Sequence, residues 1–187
     1  ETGEDVRGWK EGDRVTFDSS VYCGTCRYCR RGEINLCDNR KVLGVSCDEY
    51  ALDGALAEYV RIPDHILYRL PEEVDFITGT MVEPVSIALH AVERTEVHLG
   101  DVAVVVGAGT IGLLVIQALK ASGCREVIAV DVDRRRLEIA RRLGASATAA
   151  PGGGENDAGK SGPFGIVREV TAGRGADIAV EAVGKGD

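Results

Sequence analysis

The sequence predicts an α/β chain in two parts: a small β-rich first half, and a second half folded as a parallel sheet with helices on its faces. Three observations lead there. Residues 1 to about 70 hold short alternating runs of apolar and polar residues between Gly and Asp turns. From Pro84 onward, apolar runs of strand length alternate with segments of helical period. Between the first such strand and its helix lies a glycine turn, Gly107-Ala-Gly109-Thr-Ile-Gly112.

In the first half, Arg14-Val-Thr-Phe17 and Leu56-Ala-Glu-Tyr-Val60 read as strands by their alternation. Pro84 suits a first helical turn, and Val85, Ala88, Leu89 and Val92 recur at helical spacing, which predicts a helix through about Arg94. The uninterrupted run Val102 to Val106 predicts a strand buried on both faces, residues 110–121 an apolar helix, and Val127 to Val130 a second strand. A helix over 133–143 and a last strand over Ile178 to Val183 complete the alternation. Residues 150–163, rich in Gly and polar residues, read as a flexible surface loop.

Composition narrows the function. The 187 residues carry 22 Lys+Arg against 30 Asp+Glu, a net charge of −8, without the basic excess that phosphate contacts require, so no nucleic-acid partner is expected. The richest apolar stretch, Ile111 to Leu119, is far too short to span a bilayer, and the first residues lack the basic and apolar regions of an export signal. A cytoplasmic protein with no membrane partner is the expectation.

Four of the six cysteines, Cys23, Cys26, Cys29 and Cys37, fall in a C-x2-C-x2-C-x7-C run. Four thiolates brought together by short turns fill the tetrahedral shell of zinc and leave no position for water or substrate, so such a site is structural. Two disulfides and an iron–sulfur cluster are the alternatives. The ferredoxin run shares the first three cysteines, but its last gap is three residues and Pro follows, whereas here Asp38 follows Cys37. Cys47 and Cys124 read as small packed thiols.

The glycine turn has the context of a dinucleotide fingerprint: a strand before it, a helix after it, and Asp131 at the end of the next strand, 19 residues beyond Gly112. Gly107 permits the tight turn, Gly109 lets the backbone approach a pyrophosphate, and Gly112 allows close packing of a helix whose free N–H groups favour anions. Asp131 can accept hydrogen bonds from the adenosine ribose, which favours NAD over NADP, although Arg134, Arg135 and Arg136 follow closely. A second phosphate-loop pattern, Gly154 to Ser161, matches GxxxxGK[ST], but Gly162-Pro163 follow where a helix should begin and a poor strand precedes it.

Together these features resemble the zinc-dependent medium-chain alcohol dehydrogenases, nearest the sorbitol (polyol) and threonine dehydrogenase branch. The residues that carry the likeness are Gly12-Asp13-Arg14-Val15, the cysteine run, Asp53-Gly-Ala-Leu-Ala-Glu58-Tyr59, Glu83-Pro84 with His90, Gly107 to Gly112, and Gly175-Ala-Asp177 leading to Glu181-Ala-Val-Gly184. The resemblance implies a partial GroES-like β domain over 1–82, with a structural-zinc lobe at about 21–40, and the first part of a Rossmann NAD-binding domain over 83–187.

It implies cofactor contacts at Gly107, Gly109, Thr110, Ile111, Gly112, Asp131, Arg136 and Val183, a structural zinc on the four cysteines, and a second, catalytic zinc that stabilises an alkoxide while hydride passes to the nicotinamide. Glu83 matches one position of that catalytic site, as a direct ligand or through water. The family's other ligands, a Cys and a Gly-His-Glu motif, are expected upstream of Glu1. The chain thus reads as truncated at both ends and inactive alone, derived from a homo-oligomeric enzyme acting on a small alcohol. His90 shares a helix face with Glu83 and reads as a packed helix residue; His65 and His98 read as surface residues. The alternative is a non-catalytic zinc- and nucleotide-binding protein of the same build.

Overall fold

The computed structural model describes residues 1–45, 49–151 and 162–184. Cys47 and the GxxxxGK[ST] pattern of 154–161, with nearly all of the loop expected at 150–163, lie outside the described residues. The chain forms two compact units, Glu1–Thr80 and Met81–Asp187. Among the described residues no helix is long and apolar enough to cross a membrane.

The first unit contains β1 (Val15–Phe17), β2 (Ser20–Val21), β3 (Lys41–Leu43), β4 (Ala51–Leu52), β5 (Leu67–Arg69) and the single-turn helix α1 (Phe76–Gly79). β1 pairs antiparallel with β5, Thr16 opposite Tyr68, while β3 lies between antiparallel β2 and parallel β4. The Arg14 guanidinium closes the unit's end by donating to the carbonyls of Pro71, Glu72 and Val74 and covering the Phe76 ring. Only Cys37, Ile66 and Leu70 are buried apolar residues among those described in this unit, so its core is thin and a cross-link would count heavily.

One expectation fails here. Leu56–Val60 is not a strand: Leu56 and Tyr59 are exposed, and the segment pairs with no described strand. Alternation specifies a strand only where a neighbour supplies the ladder and one face is covered.

The second unit contains α2 (Val82–Glu93), β6 (Val102–Val106), α3 (Thr110–Ala121), β7 (Glu126–Val130), α4 (Arg134–Arg142), β8 (Ala147–Ala149), α5 (Pro163–Val170) and β9 (Ile178–Glu181). The sheet runs β8-β7-β6-β9 with every pairing parallel, the order of the first four strands of a Rossmann sheet. Val102, Ala103 and Val105 of β6 and Val127, Ile128 and Ala129 of β7 are completely buried, as central strands covered on both faces must be, and α3 adds Val115, Ile116 and Leu119.

β9 stops at Glu181, two residues short of the expected end, because the Glu181 carboxylate accepts the N–H groups of Val183 and Gly184 and turns the chain. The sequence pattern predicts neither β8 nor α5. Pro163 opens α5 at its first position, where the missing N–H costs nothing; the helix begins two residues beyond Ser161 and β8 ends at Ala149, five residues before Gly154, so neither element abuts the GxxxxGK[ST] pattern.

Candidate metal centre and nucleotide site

The four cysteines of the first unit converge through local turns. Gly24 at φ +72° opens the Cys23-Gly-Thr-Cys26 turn, a 3₁₀ turn begins at Cys29, and a second one over Ile34–Leu36 delivers Cys37. All four Sγ atoms lie within 4.8 Å of one another, and those of Cys23 and Cys29 are 4.0 Å apart. A tetrahedron with Zn–S bonds of about 2.3 Å has sulfur–sulfur edges of about 3.8 Å, so the donor set fits zinc with little adjustment. None of the four is paired in a disulfide, and all four sulfurs face one common centre.

The lobe supplies donors to the sulfurs as well. Backbone N–H groups of Cys26, Cys29 and Cys23 donate to Sγ of Cys23, Cys26 and Cys37 at 3.4, 3.5 and 3.3 Å. Thr25 Oγ1 and Asn39 Nδ2 approach Cys23 Sγ at 3.6 and 3.7 Å. Bonds from Thr25, joined by Cys26 N–H and Asn39, pull the Cys23 thiol down to about 5, while burial and the neighbouring thiols push Cys29 up to about 12. Sulfurs so close cannot all hold their charge without a cation, and a divalent ion would displace the remaining protons.

In the second unit the strand β6 hands the chain to α3 through the glycine turn. Gly107 sits at φ +97°, donates to Val130 O at 2.7 Å, and packs so closely that a Cβ there would stand 2.8 Å from the Ala182 carbonyl carbon and 3.0 Å from Val183. A Cβ on Gly112 would stand 1.8 Å from Gly107 O. Gly109 is different: its backbone is extended and a Cβ would meet nothing. It is also the N-cap of α3, with no side chain capping it, and Leu113 is the first residue to donate back into the helix, to Gly109 O at 2.9 Å. The N–H groups of Thr110, Ile111 and Gly112 therefore sit at an open helix N-terminus next to open space, the arrangement a phosphate needs.

Asp131, immediately after β7, is buried, and Arg136 Nη1 lies 3.7 Å from its Oδ2. Burial works against its charge, but backbone N–H groups of Asp133 and Ala108 and the Arg136 cation outweigh burial and hold the carboxyl below its usual range. The structure thus brings Gly107, Gly109, Thr110, Ile111, Gly112, Asp131 and Arg136 to one end of the sheet, with Val183 against Gly107.

The comparisons agree with both halves. The family described as alcohol dehydrogenase GroES-like domain matches residues 1–72, and that described as zinc-binding dehydrogenase matches residues 110–187. The chain belongs to the zinc-dependent medium-chain alcohol dehydrogenase family. Among its relatives, D-xylulose reductase A of Aspergillus niger is 36% identical over 97% of this chain and 49% of its own length. Alcohol dehydrogenase TADH from Thermus sp. ATN1 superposes with a TM-score of 0.83 at 32% identity, covering 99% of this chain and 52% of its own. A Sinorhizobium meliloti 1021 protein described as a zinc-binding dehydrogenase, bound to NADP, superposes equally well, 0.83 at 32% identity over 99% and 51%. The chain spans about half the length of the curated relatives it matches.

Membership makes the first unit GroES-like and the second Rossmann-like, and makes zinc and a nicotinamide nucleotide the family's cofactors. Glu83, the position the family resemblance marks as catalytic, stands exposed in the first turn of α2 with its carbonyl accepting from Ser86 Oγ. Among the described residues the four cysteines are the group of three or more metal-ligating side chains brought together, and Glu83 is outside it.

His90 is exposed, not packed: α2 buries Ala88 and Val92, and His90 lies about 200° round the helix from Ala88, on Glu83's outer side. His65 and His98 are exposed as expected, His65 resting edge-on against Tyr22, and Cys124 is a buried thiol. Three participants carried no spacing signal: Thr25 and Asn39 as donors to Cys23, and Ala108 as donor to Asp131.

Proposed function

We propose that these residues form the zinc lobe and the nucleotide-binding half of an oxidoreductase that moves hydride between a secondary alcohol of the polyol type and NAD. The observation that carries the reading is the glycine turn, in which Gly112 and Gly107 have no room for a side chain while Gly109 faces open space at an uncapped helix N-terminus. D-xylulose reductase A among the relatives supports a polyol substrate.

In this reading Cys23, Cys26, Cys29 and Cys37 hold a structural zinc that ties together a lobe with little core of its own. Thr110, Ile111 and Gly112 offer N–H groups to the pyrophosphate, Gly107 and Val183 shape the floor beneath it, Asp131 accepts from the adenosine ribose, and Arg136 covers the adenine side. A zinc ion at the substrate would supply Lewis-acid stabilisation of an alkoxide. Such a centre takes three protein ligands, and the described residues bring no others to Glu83, so its role, directly or through water, depends on partners beyond them. The whole protein is read as a cytoplasmic homo-oligomer acting on a small molecule.

Asp131 bears on cofactor choice, since a 2′-phosphate would meet a carboxylate already accepting from the backbone. Arg136 softens that repulsion, and the Sinorhizobium meliloti relative binds NADP. Titration of the protein with both nucleotides tests the reading: NAD should bind more tightly, and Asp131→Ala should narrow the difference. Tighter binding of NADP would refute the NAD assignment.

A further inference from the structure

Asp131 already has a task in the absence of any nucleotide. Its Oδ2 accepts the backbone N–H of Ala108 at 2.7 Å, and Oδ1 accepts that of Asp133 at 2.8 Å. Ala108 is the residue between Gly107 and Gly109, so the first bond reaches from the end of β7 into the middle of the glycine turn, across 23 residues of sequence. Ala108 is completely buried, where an N–H without a partner is costly, and the carboxylate is the partner it has. The neighbouring Gly107 N–H is tied to Val130 O, the residue before Asp131, so the end of β7 grips the turn at two consecutive amides.

We propose that Asp131 is a positioning residue for the phosphate-binding turn: its carboxylate latches Ala108 and so places Gly109 and the α3 N-terminus, independently of any contact with the ribose. The proposal rests on the dinucleotide reading of this site. Both roles coexist in one side chain, because each carboxylate oxygen has a second acceptor position left for a hydroxyl. Asparagine has one oxygen and one NH₂, so it keeps one of the two amides and opposes the other with a donor.

The probe that separates the roles is 2′,3′-dideoxy-ADP, which retains the diphosphate and lacks both ribose hydroxyls. In calorimetric titrations of the 187-residue chain, Asp131→Asn should weaken this probe about tenfold, the scale of one charge-assisted hydrogen bond. Hydrogen exchange at the Ala108 amide should accelerate in the ligand-free variant while the β6 amides keep their protection. Asp131→Ser, read the same way, serves if asparagine unsettles the sheet. Equal affinity of wild type and variant for the dideoxy probe, with Ala108 exchange unaltered, overturns the proposal. Failure of the wild type to bind ADP would instead overturn the nucleotide reading, a separable result because exchange at Ala108 reports the latch without ligand.

Discussion

Gly109 and Gly112 belong to the same turn, yet the structure predicts opposite consequences for replacing them with alanine. At Gly112 the new Cβ would lie 1.8 Å from Gly107 O, a backbone atom, and must retreat by about 1.4 Å to reach a tolerable contact of about 3.2 Å. That displacement has to come from β6, the turn or α3, each fixed by a completely buried core, and overpacking of this kind costs about 1–3 kcal/mol. For a unit of this size the upper half of that range lowers Tm by roughly 10 °C. At Gly109 the Cβ meets nothing and φ is −73°, so stability should change by less than about 1 kcal/mol. The space it fills, however, is the space a pyrophosphate would occupy. Thermal melts paired with NAD titrations of both variants read the contrast: Gly112→Ala loses stability and binding together, Gly109→Ala loses binding alone. A Gly112→Ala protein as stable as wild type, or a Gly109→Ala protein that binds NAD normally, would refute the reasoning.

Other consequences can be measured on the same protein. Metal analysis should find close to one zinc on the four cysteines, and Cys37→Ser should release it and abolish the cooperative melting of the first unit, whose buried apolar residues are so few; zinc and melting both unchanged would remove the structural-site assignment. In the second unit, Asp177 Oδ2 accepts Val102 N–H at 2.8 Å and Arg174 pairs with Oδ1, and these contacts hold its carboxyl below the usual range. With the folded value below the unfolded one of about 3.9, the stabilisation is present above about pH 4 and disappears as pH falls through the folded value. Asp177→Asn should therefore lower stability at neutral pH and flatten the acid end of the profile in urea titrations; an unchanged profile would remove Asp177 from the account.

Much of the second unit was legible because its signals are physical necessities. Val102, Ala103 and Val105 are apolar since both faces of β6 are covered there, whereas Val106 at the strand's end is exposed, and the spacing of Gly107, Gly109 and Gly112 follows from backbone contacts that exclude a Cβ at two of the three. β8 was missed because Ala147-Thr-Ala149 offers one β-branched residue and little hydrophobicity; its strand character comes from pairing with β7. Leu56–Val60 failed in the opposite direction, with a strand pattern and no described partner. The cysteine spacing announced a metal site, but the hydroxyl of Thr25 and the amide of Asn39 reach Cys23 through turn geometry that no spacing encodes. The sequence shows what Asp131 can offer a ribose, while its bond to Ala108 depends on two loops meeting at the end of the sheet.

If this zinc lobe and nucleotide turn belong to an enzyme passing hydride between alcohols and a nicotinamide, the whole protein must reduce the nucleotide at the expense of an alcohol. The most direct measurement is reduced-nicotinamide formation by the full-length, zinc-loaded protein with NAD and a panel of sugar alcohols, sugar-alcohol phosphates, butanediol and threonine. Turnover of at least one secondary alcohol, faster with NAD than with NADP, is the predicted result. A protein that binds zinc and NAD yet oxidises none of them would contradict the account and leave the non-catalytic binding protein as its function.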